Sequence, residues 1–222
     1  MDFETAFEQT KTKKHFEGYY QFYSSVIDVN KVSSILEIGV GEGASMHAWR
    51  QIWPKATIEG IDIKEVSFSI RSKFKIYSHD SINTHNADLL NKNYDLIVDD
   101  GDENWRSKLR TFFNYYEKAN KYYVIENVIG QYSLNKILSK IPNIYLTDFY
   151  VFKSSGPLRS YSFRENNERI EEKNSSPYII FFVIKNYTKR FINKSVYSEN
   201  MLDIENKSFF KEVVDLQESY KI

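Results

Sequence analysis

Acidic side chains stand at the ends of apolar runs in three places along this chain. Asp62 closes TIEGID, Asp99 and Asp100 close YDLIVDD with Asp102 and Glu103 just beyond, and Glu126 with Asn127 closes YYVIEN. If the runs are parallel strands of one sheet, their carboxyl ends share an edge and the acids converge there. Carboxylate and amide oxygens so gathered suit a hard cation such as Mg2+, which takes one or two carboxylates and keeps several waters or substrate oxygens. The ion would orient two substrate hydroxyls and lower the pKa of the one that reacts. Asp at a strand-to-helix junction is also a favoured helix cap. Capping is preferred for Asp102, and the metal role for Asp100 and Glu126.

The residues before Asp62 indicate what binds beside it. Residues 35–63, ILEIGVGEGASMHAWRQIWPKATIEGIDI, combine an apolar strand, a glycine turn, a helix and a second strand. Glycine has no Cβ and tolerates positive φ, so the turn Gly39-Val40-Gly41-Glu42-Gly43 lets backbone N–H groups approach a ligand closely. Asp62 lies nineteen residues after Gly43. That is where the next strand of a βαβ unit ends, and its carboxylate can there accept hydrogen bonds from two ribose hydroxyls. The pattern describes a nucleoside cofactor site. A dinucleotide site wants G-x-G-x-x-G and a helix N-terminus free for pyrophosphate. This turn reads G-x-G-x-G and is flanked by Glu37 and Glu42, which would repel a pyrophosphate but suit the amine and sulfonium of S-adenosylmethionine.

Such a site needs a scaffold, and hydrophobic periodicity supplies one. Phe16, Tyr19, Tyr20, Tyr23, Val26 and Ile27 predict an amphipathic helix over residues 16–27, within a helical lead-in of residues 1–30. Strands are expected at Ser34–Ile38, Thr57–Ile63, Phe74–Ser78, Tyr94–Asp99 and Tyr122–Val128. Helices are expected after the glycine turn, at about Asn104–Lys118 and near Ser133–Lys140, with a short one inside His79–Asn93. Ile144–Phe152 and Tyr178–Ile184 lack a helix between them and suggest an antiparallel closing pair, joined by a long loop from Lys153 to Pro177. The arginines of that loop, Arg159, Arg164 and Arg169, could grip a phosphate or carboxylate, but an ordinary solvated surface is the preferred reading. The fold class is thus α/β: a doubly wound, seven-stranded, mostly parallel Rossmann-like sheet over residues 31–186 with one antiparallel strand. Residues 187–222 form a tail with one expected helix, Lys207–Glu218.

Composition narrows the partners. Thirty basic residues balance thirty acidic ones, so no whole-chain field recommends a nucleic acid backbone or an anionic membrane as partner. There are no cysteines, which removes thiolate metal sites and cysteine nucleophiles. The N-terminal residues carry charges where a signal peptide needs an apolar core, and no apolar run approaches the roughly 18 residues of a membrane span. A cytoplasmic protein with a small-molecule substrate is expected, and a homo-oligomer is compatible with everything above.

Several of these motifs, taken in order, carry a family likeness. LEIGVGEGASMHAW, IEGIDI, IVDDGDENWRSKLRTF and YVIENV, with the lead-in TKTKKHFEGYYQFY, resemble the metal-dependent macrolide-sugar O-methyltransferases and the related group named for cephalosporin hydroxylase. All have the class I methyltransferase fold, and the resemblance covers about residues 10–130. It implies that Glu37, Gly39, Gly41 and Gly43 bind the methionine part of S-adenosylmethionine and Asp62 its ribose. Asp80 or Ser81 would lie near the adenine, and Asp99 beside the donor's amine and methyl. It places Mg2+ ligands at Asp100, Glu126 and Asn127, and the general base at a position usually occupied by histidine, here Glu103. Glutamate near pKa ~4.3 is a far weaker base than histidine unless burial or the neighbours Asp100 and Asp102 raise it. Asn127 stands where aspartate is usual and offers a carbonyl oxygen with one charge fewer. The implied activity is O-methyl transfer to a small polar acceptor, a sugar or a sugar-bearing or phosphorylated biosynthetic intermediate. The alternative is a weakly active or inactive donor-binding accessory protein.

Overall fold

Apolar runs rich in Ile, Val and Tyr that end in glycine or an acid form strands covered on both faces, because a parallel sheet needs helices on each side. The computed structural model describes residues 1–142, 149–165 and 168–184. Three short helices come first, α1 (Phe3–Gln9), α2 (Lys13–Phe16) and α3 (Tyr19–Val26). The alternation then begins: β1 (Ser34–Ile38), α4 (Ala44–Ile52), β2 (Thr57–Asp62), α5 (Phe68–Arg71), β3 (Lys75–Ser78), α6 (Thr84–Asp88) and β4 (Tyr94–Asp99). It continues through α7 (Trp105–Tyr115), β5 (Ala119–Ile129) and α8 (Gly130–Lys140), and closes with β6 (Phe149–Lys153), β7 (Arg159–Glu165), β8 (Glu168–Ser175) and β9 (Pro177–Val183).

Seven strands make one sheet in the order β3-β2-β1-β4-β5-β9-β6, and β9 alone runs antiparallel to its neighbours. Strand order reverses between β1 and β4, the switch point beyond which ligands bind in open α/β sheets. Register levels the strand ends there: Ile38 pairs with Ile61 of β2 and Asp99 of β4, and Asp99 pairs with Ile125 of β5. Gly39, Asp62, Asp100 and Glu126 therefore all emerge at one edge.

One face of the sheet is covered by α1, α3 and α4, with Phe3, Phe7, Tyr19, Tyr23, Met46 and Trp49 packed on Ile35, Leu96, Val98, Val124 and Phe181. The other is covered by α7 and α8, with Trp105, Phe112, Leu134 and Ile137 on Leu36, Ile97, Tyr123 and Phe182. Among the described residues no helix is long and apolar enough to cross a membrane.

Two expectations need correction. The helix expected over 16–27 is divided, because Gly18 at φ +70° turns the chain before α3 and leaves Phe16 exposed. The segment expected as a loop over 153–177 contains the hairpin of β7 and β8, a separate two-stranded sheet. α1 lies within the helical lead-in expected over 1–30: it is short, capped by Asp2 accepting from Thr5 N, and buries Phe3 and Phe7. Residues 144–148 of the expected closing strand and the tail over 187–222 lie outside the described residues.

Candidate active site

The glycine turn is built by close approach. Gly39 donates its N–H to Ile61 O at 2.8 Å and Asp100 donates to Ile38 O at 2.8 Å, which lace the turn to the strands on both sides. Gly39 sits at φ +89°, and a Cβ there would lie 2.4 Å from Asp100 O. Gly43, at φ +78° before α4, faces Ile70, whose Cδ1 would be 2.6 Å from a Cβ. Gly41 differs: it has φ +54°, and a Cβ would meet nothing within 4 Å. Its N–H donates to Asp62 Oδ2 at 2.9 Å, while Lys64 N donates to Oδ1 at 2.8 Å. The carboxylate is thus aimed across the mouth of the turn. Each of its oxygens keeps lone-pair capacity for a ligand hydroxyl.

The acids after β4 and β5 converge, but on a lysine. Lys14 of α2 is buried, and its Nζ donates to Asp100 Oδ2 at 2.8 Å and to Glu126 Oε2, with Glu37 Oε1 at 3.4 Å. The register of β5 against β9 shifts between Ile125 and Val128, a bulge that includes Asn127 at φ +56° and re-aims both Glu126 and Asn127 toward β4. Tyr23 OH donates to Glu126 Oε1 at 2.6 Å. Tyr19 OH donates to Asn127 Oδ1 at 3.2 Å, and Asn127 Nδ2 donates to Asp100 Oδ1. Trp49 Nε1 holds Glu37 Oε2 at 3.1 Å.

Burial sets the electrostatics of this cluster. It pushes Glu126 up to about 8 against the pull of Lys14, with Asp100 adding to the rise. It raises Glu37 likewise, and lifts the Tyr19 and Tyr23 hydroxyls well above the ordinary tyrosine range, with Glu126 reinforcing both. Burial also opposes the Lys14 charge, yet Asp100, Glu126 and Glu37 together outweigh it and hold the ammonium above the usual lysine value.

Glu103 lies at the open side of the cluster, half buried, its pKa raised by burial and further by Asp100 and Asp102 while Lys108 pulls it down. Arg159, from the start of β7, donates to Glu103 Oε1 at 2.8 Å and also to Glu17. The expectation of a solvated arginine therefore fails for Arg159, whereas Arg169 is exposed and pairs with Glu171. The Arg164 side chain lies outside the described residues.

No protein-family model matches the sequence, and neither does any curated protein at a significant level. Solved structures do match in shape. Two are of the MycE methyltransferase from the mycinamycin biosynthetic pathway, both in complex with Mg and SAH. One aligns over 86% of this chain and 57% of its own at TM-score 0.54 and 15% identity. The other aligns over 100% and 60% at 0.53 and 16%. A SAM-dependent methyltransferase from Archaeoglobus fulgidus aligns over 80% of this chain and 97% of its own, at TM-score 0.51 and 15% identity. The fold is that of a class I methyltransferase. This chain spans less than two thirds of the MycE chains' length.

Within that fold, the expected residues divide into groups. Gly39, Gly41, Gly43 and Asp62 sit together at the turn, and Asp100, Glu126, Asn127 and Glu37 share the Lys14 cluster. Asp99 is buried toward α7, where Lys108 Nζ binds its main-chain oxygen at 3.0 Å and Oδ1 at 3.2 Å. Its Oδ2 is buried with no hydrogen-bond partner among the described residues. Asp80 caps its own turn through Ile82 N, and Ser81 Oγ pairs with Thr111 Oγ1 at 3.0 Å. Asp102 caps too, accepting from Asn104 N and Ser107 Oγ. Sequence inspection missed Lys14, Tyr19, Tyr23 and Arg159 as site residues. The available signal was the helical spacing of Tyr19 and Tyr23 behind a lysine run, in a chain with a surplus of acids at its strand ends.

Proposed function

We propose that this protein is an S-adenosylmethionine-dependent O-methyltransferase acting on a small polar acceptor, a sugar or a sugar-bearing or phosphorylated biosynthetic intermediate. The observation that carries this reading is the open, left-handed Gly41, whose N–H fixes the Asp62 carboxylate beside the switch point of a methyltransferase-type sheet. The residues present fit the donor: a turn with no side chain at Gly39, Gly41 or Gly43, an acid for the ribose hydroxyls, and a buried carboxylate oxygen of Asp99 without a partner among the described residues. S-adenosylmethionine, when bound, supplies an electrophilic methyl group.

The chain's own residues supply the rest. Gly39, Gly41 and Gly43 hold the methionine part, Asp62 the ribose, Asp80 or Ser81 the adenine side and Asp99 the amine. Asp100, the most exposed acid of the cluster, orients the acceptor hydroxyl. Glu103 takes its proton, since a carboxylate whose pKa is raised by burial is a better base than a solvated one. Arg159 fixes that carboxylate through Oε1.

Calorimetry with S-adenosylhomocysteine tests the donor half: Asp62→Ala should weaken binding by about tenfold or more, the worth of hydrogen bonds to a charged group. Transfer of labelled methyl to a panel of sugars, nucleotide sugars and phospho-compounds tests the acceptor half. There Glu103→Gln should lower kcat by about 100-fold with donor affinity unchanged. No binding of the donor product would sink the whole reading. The Arg159–Glu103 ion pair favours one second reading, an accessory protein that binds donor without transferring it. Tight donor binding with no methylated acceptor from the panel would support that alternative.

A further inference from the structure

The resemblance implies Mg2+ at Asp100, Glu126 and Asn127. Of these three ligands to a metal ion, only two would be carboxylates and the third an amide. The oxygens that would ligate one are turned to donors of the protein itself. Glu126 uses Oε2 for Lys14 and Oε1 for Tyr23, and Asp100 uses Oδ2 for Lys14 and Oδ1 for the Asn127 amide. Asn127 presents its NH2 to this cluster, and its carbonyl oxygen accepts from Tyr19 instead. That orientation follows from the network, because a carboxylate accepts hydrogen bonds and so selects the amide's nitrogen side.

At the point of convergence is an ammonium. Lys14 has three N–H donors and three carboxylates around it, Asp100, Glu126 and Glu37, with the Trp49 ring centroid 5.9 Å away. Only 3% of its side chain is exposed. A divalent ion entering here would have to drive this ammonium out among Trp49, Tyr19 and Tyr23, where an unpaired charge is costly. It would also have to strip donors from both Asp100 and Glu126.

We propose that Lys14 is the resident cation of this site, a tethered ammonium that takes the place of a divalent metal, so that the cluster is assembled and neutralised by the chain itself. With two hydrogen bonds to Asp100 and Glu126 and an ion pair to Glu37, Lys14 acts as a positioning residue. It holds Asp100, Glu126 and Glu37 in place and leaves the partly exposed edge of Asp100 to meet the acceptor. The inference concerns the site of the proposed methyl transfer, and only its corollary for turnover rests on that reaction: activity should be unchanged by excess chelator.

Mn2+ binding tests the core of the proposal without any reaction. Free Mn2+ is counted by electron paramagnetic resonance in titrations of the full chain, its Lys14→Ala variant and Lys14→Ala with Asp100→Asn. Wild type should leave Mn2+ free, and chelator should not move its thermal midpoint. Lys14→Ala should bind one Mn2+ with affinity raised about tenfold or more, the scale on which changes around a metal's ligands act, and the added Asp100→Asn should abolish it. If Lys14→Ala is unfolded in metal-free buffer, recovery of its thermal transition on adding Mn2+ carries the same meaning, and no recovery overturns the proposal. It is equally overturned by Mn2+ binding to wild type that Asp100→Asn removes, or by a folded Lys14→Ala that leaves Mn2+ free. Absence of donor binding and turnover in the wild type, with these Mn2+ results intact, would instead count against the methyltransferase reading.

Discussion

Three glycines in one turn do different work, and substitution should separate them. Gly39 combines φ +89° with a Cβ position 2.4 Å from a main-chain oxygen of Asp100, so neither the backbone nor the neighbour can yield cheaply. Gly39→Ala should lower unfolding free energy by about 2 kcal/mol or more, the left-handed penalty plus the displaced strand end. Gly41 carries only the conformational part, about 1–2 kcal/mol, since nothing stands near its Cβ. The space that spares its stability is where the donor is proposed to lie. Gly41→Ala should therefore remain folded in urea titrations and lose affinity for S-adenosylhomocysteine. The opposite ranking, a well-folded Gly39→Ala beside a collapsed Gly41→Ala, would contradict this division of roles.

Among the elements, the connection from β6 to β7 is tied to the chain just after α2 through Glu17. Ser154 Oγ donates to Glu17 O at 2.8 Å, a Cβ on Gly156 would lie 2.7 Å from Glu17 Cα, and Arg159 reaches both Glu17 and Glu103. Arg159→Ala removes the ties to the two glutamates while leaving the seven-stranded sheet untouched. Amide exchange at the start of β7 should then quicken, with the global thermal midpoint moving little, because a partly exposed ion pair is worth roughly 0–1 kcal/mol. A large fall in midpoint without faster local exchange would mean that the hairpin is part of the global folding unit.

The same region marks where the sequence stopped being legible. β1, the glycine turn, α4 and β2 announce themselves because buried strands are short apolar runs and their ends need glycine or acid. The hairpin segments RSYSFRE and ERIEEKNS are mostly polar and charged, with too few apolar residues to give them a clear period. Lys14 was hidden for another reason. Its partners are 23, 86 and 112 residues away at Glu37, Asp100 and Glu126, and a lysine run reads as solvated surface until the fold closes over it.

For the molecule as a whole, equal numbers of acidic and basic residues leave little net self-repulsion near neutrality, so its stability profile with pH is set by groups whose pKa changes on folding. Glu59 and Asp95 are held below their ordinary values: burial opposes this, but Lys92 and Tyr94 outweigh it at Glu59, and Ser33 and Lys121 at Asp95. Their contribution is present above the unfolded carboxylate range and is lost as pH falls through their folded values. Glu126, Glu37 and Asp99 are raised by burial, and for these the sign reverses. The folded state binds protons that the unfolded chain has released, so stability is fully present below the unfolded carboxylate pKa and declines as pH rises, for Glu126 up to about 8. The thermal midpoint should therefore peak on the mildly acidic side and fall between about pH 5 and 8, even though no histidine stands in the cluster. Glu126→Gln, which keeps the shape and removes the titration, should flatten that fall while leaving the acid limb in place. A wild-type midpoint that rises steadily over the same interval would show that the buried acids stay ionised, with Lys14 balancing them more completely than burial allows.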